Sequence, residues 1–261
     1  MCLIALAWRC HPRFDAVLVT NRDEFHGRAT APAQRHAGVP PIFGGQDLEK
    51  GGSWLLASTE GRFAAVTNVR VGGAPEDAPR SRGALVDDFV RSSLPVSDYL
   101  DALAPIASEF GRFNVLLCAE GELHYAGNHP AFRRQALAPG LHVVSNGDLD
   151  APWPKTQRLR AALAPWLADA DSLAAEPQFT ALWTALADRD RAADAELPDT
   201  GVGLALERLL SSPFIVGEAY GTRASSLLLV SRGQARLLER RFGAHGAALG
   251  DSDLRFAWPD R

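Results

Sequence analysis

Lysine is almost missing from this chain: Lys50 and Lys155 are the only two among 27 basic residues in 261. The remaining basic positions are arginine, which together with the abundant alanine reflects coding bias rather than chemistry. Cysteine is scarce as well. Cys2, Cys10 and Cys118 make an odd, low number, which argues against a disulfide framework and predicts a reducing compartment. No Cys/His cluster has metal-site spacing, so no metal or cofactor is expected. No apolar run reaches the roughly 18 residues of a membrane-spanning helix. The N-terminal stretch lacks the charged and long apolar regions of a signal peptide. A cytoplasmic protein is the expectation. A net charge of −4 and a pI near 6.0 give no reason to expect a nucleic acid or an anionic membrane as partner. What is present is a core: 46% of the residues are hydrophobic, and residues 1–261 are expected to form a single domain.

The first twenty-five residues organise the rest. Leu3–Trp8 and Ala16–Thr20 are short apolar runs on either side of the turn-like Cys10-His11-Pro12-Arg13-Phe14-Asp15, which predicts a β-hairpin. Pairing Arg9 with Ala16 places Cys2 beside Asp23, with cross-strand neighbours about 5 Å apart. Asn21, Arg22 and Asp23 then crowd Cys2. Methionine before a small residue is normally trimmed, leaving Cys2 with both a thiol and a free α-amine. Their ordinary pKa values, about 8.5 and about 8, suit a nucleophile and a general base near neutral pH. Arg22 beside the thiol favours the thiolate, and Asp23 orients the amine or the guanidinium. The bland alternative is a buried second-residue cysteine on a core strand.

Further along, Phe25 to Gly52 is rich in Pro and Gly and predicts a long irregular loop. Ser53–Ser58 and Arg62–Val69 predict a hairpin, and Ala84–Ser92 a helix capped by Ser81. A second helix begins at Ser97. Phe113–Ala119 and Leu123–Ala126 predict a hairpin, and His142–Ser145 a strand. A helix opens at Trp153-Pro154-Lys155 and stops before Pro165. Ala181–Ala187 and Gly203–Leu210 have helical character, with a mobile acidic segment at 188–200 between them. Thr222–Val230 and Ala235–Arg241 predict the last strands, followed by a polar, Gly-rich tail. Strands first, helices in the middle and strands last imply a sandwich completed by distant segments. Asn68, Asn146 and Arg223 stand at strand ends, where sites are built. Asn amides suit an oxyanion hole and Arg223 a cation beside a thiolate, although Asn146-Gly147 is equally a turn pair.

The pieces Met1-Cys2, Asn21-Arg22-Asp23-Glu24-Phe25, Gly51-Gly52-Ser53-Trp54, Thr67-Asn68-Val69-Arg70, Pro152-Trp153-Pro154-Lys155 and Tyr220-Gly221-Thr222-Arg223 occur in order. The chain resembles, from residue 1 to about residue 240, the family named for its N-R-D-E motif, whose eukaryotic members include transport and Golgi organisation protein 2. The resemblance implies an α+β fold, the four-layer αββα sandwich of N-terminal-nucleophile hydrolases. It is also similar to the group of bile-salt hydrolases and penicillin V acylases, in which Cys is the second encoded residue. That likeness implies catalytic roles for Cys2, Arg22, Asp23, Asn68, Asn146 and Arg223. Arg22 and Asp23 are adjacent here, whereas that group separates them by two residues. Asn21, Trp54 and Arg70 fall in the matched motifs and are expected to bind ligand. The implied activity is hydrolysis of a non-peptide C–N amide, or acyl transfer, on a small-molecule substrate. The alternative, from the eukaryotic relatives, is a carrier of haem or an acyl ligand on the same fold.

Overall fold

The computed structural model describes residues 2–73, 78–174 and 176–260, without the side chains of residues 170 and 171. Two antiparallel sheets dominate it. The first, in spatial order, holds β10 (Gly140–Val144), β1 (Cys2–Trp8), β2 (Ala16–Phe25), β11 (Tyr220–Ser231), β12 (Gln234–Phe242) and β13 (Ala248–Ala257). The second runs β3 (Thr30–His36), β4 (Ile42–Asp47), β5 (Leu55–Ser58), β6 (Arg62–Asn68), β7 (Phe113–Ala119), β8 (Glu122–Gly127) and β9 (Arg133–Ala136).

The central strands read as unbroken apolar runs because both of their faces are buried. On β1, Ile4, Leu6 and Trp8 enter a core between the sheets with Leu18, Leu55, Phe63, Leu116 and Leu228. The alternate residues Leu3, Ala5 and Ala7 meet helix α3 (Pro154–Ala168) and helix α5 (Thr180–Leu186) through Leu159, Leu163, Trp166 and Leu182. Across the molecule, Leu56, Ala64, Val66 and Leu117 pack on α1 (Arg82–Arg91) and α2 (Val96–Leu103) through Val86, Phe89 and Leu100. Period-two alternation thus supplies two cores from each sheet. The layers are helix, sheet, sheet, helix, which is the expected αββα sandwich.

Four expectations are corrected. The stretch from Phe25 to Gly52 is not one irregular loop, since it contains β3 and β4. β3 is polar and carries Pro32, taken up in a bulge between Ala31 and Gln34. β4 carries Gly44 and Gly45 because a side chain at 45 would stand 2.2 Å from the Trp54 ring. Such residues are normally strand breakers. Helix α3 continues through Pro165 to Ala168, its packing through Leu163 and Trp166 outweighing the proline. The tail beyond Gly243 forms the edge strand β13, whose exposed polar face hides it from an apolar pattern. The acidic segment expected to be mobile is tied down: Arg158 donates to the carbonyl of Asp190, and Arg208 pairs with Asp194. Among the described residues no helix is long and apolar enough to cross a membrane.

Candidate active site

The N-terminal hairpin forms one residue out of the expected register. Trp8, not Arg9, pairs with Ala16, so Cys2 lies opposite Arg22 rather than Asp23. A one-residue shift exchanges the faces of a strand. Arg22 therefore shares the inter-sheet face with Cys2, and Asn21 turns the other way. The Asn21 amide donates to the carbonyls of Leu186 and Pro213 at 2.8 and 2.9 Å and accepts from Ser225 Oγ at 2.6 Å. It braces the helical layer, so its expected ligand-binding role is withdrawn.

Cys2 stands at the start of β1 and opens onto a cavity of about 810 Å³. Arg22, Asp23, Trp54, Asn68 and Arg70 also line it, so these sequence-predicted residues converge from β2, the β4–β5 turn, and β6 with its following loop. The Arg22 guanidinium lies 4.4 Å from the Trp54 ring centre, as a cation over an aromatic face, and 4.0 Å from Glu24. Burial pushes the Cys2 thiol above its ordinary value. The carboxylates of Asp23 and Glu24 act in the same direction, and Arg22 opposes them. This corrects the expectation of a readily formed thiolate: the surroundings of Cys2 favour the thiol over the thiolate.

Asp23 is buried and accepts a hydrogen bond from Thr222 Oγ1 at 2.7 Å. Burial raises its carboxyl pKa, with Lys155 the foremost charge acting against that. Lys155, in the first turn of α3, is only 2% exposed, and burial holds its ammonium down to about 8. Its Nζ donates to Asn146 Oδ1 at 3.2 Å. Asn146 Nδ2 in turn donates to Asn68 Oδ1 at 3.0 Å and to the Asn68 carbonyl at 3.1 Å. Asn146 is fully buried and is not among the cavity-lining residues; its side chain reaches the cavity lining at Asn68, and its backbone carbonyl accepts from the Arg70 N–H at 2.7 Å. Below this pair, Asn114 donates to the carbonyls of Ser145 and Gly147, Tyr125 donates to Asn114 at 2.6 Å, and Ser145 Oγ lies 2.9 Å from the Cys2 carbonyl.

Arg223 is corrected. Its Nη1 donates to the carbonyls of Phe25, His26 and Arg28, and it is absent from the cavity lining. The register shift between Thr222 and Ala224 aims it at the turn after β2 rather than at Cys2. Its role is to hold that turn. Arg70 lines the cavity but is already engaged by Glu207, with Thr200 Oγ1 3.1 Å from its Nε and Trp153 beneath its guanidinium. Around Glu207, Val202, Leu206, Leu209 and Leu210 contribute an apolar wall to the cavity. Sequence reading missed Lys155 and Glu207. The signal for Lys155 was its rarity in an arginine-dominated chain, in a motif next to a helix start.

The architecture has a solved counterpart. The C2A mutant of conjugated bile acid hydrolase from Clostridium perfringens superposes with a TM-score of 0.54 over 100% of this chain and 97% of that one, at 7% identity. The fold is that of an N-terminal-nucleophile hydrolase. In sequence, the Transport and Golgi organization 2 homolog of Mus musculus is 27% identical over 260 residues, covering 92% of both chains. The Homo sapiens homolog is 29% identical over 249 residues, covering 88% of both. The family model described as Transport and Golgi organisation 2 matches residues 1–244, and the chain belongs to that family.

Proposed function

We propose that this protein is a cysteine N-terminal-nucleophile hydrolase that cleaves a non-peptide C–N amide bond in a small molecule, or transfers the acyl group to another acceptor. The observation that carries this reading is Cys2 at the start of β1, opening onto a large cavity with Arg22 directly across the strand pair. Removal of Met1 gives Cys2 its own α-amine as the nearest base. The Cys2 thiol passes its proton to that amine as sulfur bonds to the amide carbon. The carbonyl oxygen becomes an anion held by the Asn68 amide. Collapse breaks the C–N bond, and the amine returns the proton to the leaving nitrogen. Water then attacks the thioester, releasing the acid and restoring the thiol. A protein of this fold is named for hydrolysis of a conjugated bile acid, which supports the reaction type.

Two observations favour a second reading, a carrier of haem or an acyl ligand. Burial pushes the Cys2 thiol above its ordinary value, and the cavity has an apolar wall at Val202, Leu206, Leu209 and Leu210. Wild type and Cys2→Ser separate the two. Against a panel of N-acyl amides, a hydrolase loses turnover in Cys2→Ser, because a hydroxyl is far less nucleophilic near neutral pH. Intact mass of the protein isolated from cells should show Met1 gone. No release from the panel, with haem titrating equally into both proteins, overturns the hydrolase in favour of the carrier.

A further inference from the structure

Lys155 is a buried charge to which the reaction above assigns no task. Its position is unfavourable twice over. It is withdrawn from water, and it sits in the first turn of α3, the positive end of the helix dipole. A residue selected for packing alone would not be an ammonium there. What the position supplies is a chain of hydrogen bonds. Lys155 Nζ donates to Asn146 Oδ1, Asn146 Nδ2 donates to Asn68 Oδ1, and Asn68 lines the cavity with Cys2. With its oxygen tied to Asn146, Asn68 has its amide nitrogen as the end left to donate. An amide whose oxygen accepts from a cation is polarised into a stronger donor, and bonds in series reinforce one another.

Resting on the hydrolase reading, we infer that Lys155 is a positioning residue. Through Asn146 it orients and polarises Asn68, which donates to the oxyanion formed when Cys2 attacks a carbonyl. Asp23, Cys2 and Glu207 favour the charged form of the Lys155 ammonium, and Arg70 opposes it. The relay has no part in reactions of Cys2 that build no oxyanion.

That distinction gives the test. In full-length protein carrying Cys10→Ser, Cys2 is treated with p-nitrophenyl acetate and, separately, with iodoacetamide, and modification is followed on the Cys2 peptide. With the ester, sulfur bonds to the carbonyl carbon, an oxyanion forms, and its collapse breaks the C–O bond to expel p-nitrophenolate. With iodoacetamide, sulfur displaces iodide at a saturated carbon. Lys155→Met should slow acylation about 10- to 100-fold, less than the direct loss of a donor, and leave alkylation within about three-fold. In an Asn68→Ala background Lys155→Met should add less than about two-fold, because both changes act on one donor. The wild-type ratio of acylation to alkylation should fall as pH rises through about 8, and that of Lys155→Met should not. Lys155→Gln, a neutral donor, serves if the methionine variant does not fold. Acylation and alkylation slowed in parallel, or acylation unchanged, overturns the relay alone. A wild-type Cys2 that p-nitrophenyl acetate never acylates overturns the hydrolase reading and the relay with it.

Discussion

A buried ammonium burdens the fold that uses it. Burial takes Lys155 from 10.5 to about 8; at about 1.4 kcal/mol per unit this corresponds to a penalty of about 3 kcal/mol at neutral pH. The sign follows from proton counts. Between about pH 8 and 10.5 the folded protein has released this proton and the unfolded chain still holds it, so stability rises with pH across that window. Lys155→Met removes the effect. Urea titrations should find the variant more stable than wild type at pH 7, with the two converging as pH approaches 10.5. A difference independent of pH would show that the ammonium is not held down. The convergence of Cys2, Arg22, Asp23 and Asn68 on one cavity was legible from the sequence because thiol, cation, carboxylate and amide fall at the ends of apolar runs. Asn21 was misread through a one-residue register error, which reverses every side chain on a strand. Arg223 was misread because the bulge beside it leaves no mark in composition. The helix start at Lys155 was legible, but nothing in its spacing reveals that its ammonium reaches Asn146.

The cavity's apolar wall is attached through one buried ion pair. Arg70, just past β6, holds Glu207 in helix α6 (Leu204–Leu209), and Glu207 also accepts from the Thr200 backbone at 2.9 Å. The two side chains are 5% and 4% exposed, so neither charge can turn to water when its partner is lost. Glu207→Ala should therefore destabilise the protein by about 3–5 kcal/mol. The double change Arg70→Met with Glu207→Leu should recover most of that loss, because two well-packed apolar groups leave no buried charge. Chemical denaturation of the three variants checks the pair. Equal loss in the double variant would show that the contribution is packing and not charge. At this scale the strongly apolar β1, β2, β6, β7 and β11 were readable, as were the capped helix α1 and the sandwich class. The edge strands β3, β9 and β13 were not, because half-exposed strands carry too few apolar residues to show a period of two.

The two sheets divide the chemistry. The first brings Cys2, Arg22 and Asp23, and the second brings Asn68, so the site exists only while the sheets keep their spacing. Among the polar ties that cross between them, Glu239 on β12 accepts from the backbone N–H of Ala33 on β3 at 2.7 Å. Glu239 is 2% exposed, and burial raises its carboxyl pKa from 4.5 to about 7, against the pull of the Ala33 N–H, Arg241 and Arg22. Between these two pH values the folded protein keeps a proton that the unfolded chain has lost. Stability from this group is therefore full below about pH 4.5 and falls as pH rises to about 7, a loss on the order of 3 kcal/mol. Glu239→Gln keeps an acceptor oxygen for Ala33 and never ionises. It should match wild type near pH 4.5 and exceed it by about 2–3 kcal/mol at pH 8, when urea midpoints are followed across that range. Parallel stability curves for the two proteins would mean that Glu239 is ionised throughout and that the tie between the sheets is a charged one. The same variant should leave the acylation of Cys2 unchanged at pH 6, because the tie joins β12 to β3 and not β1 to β6.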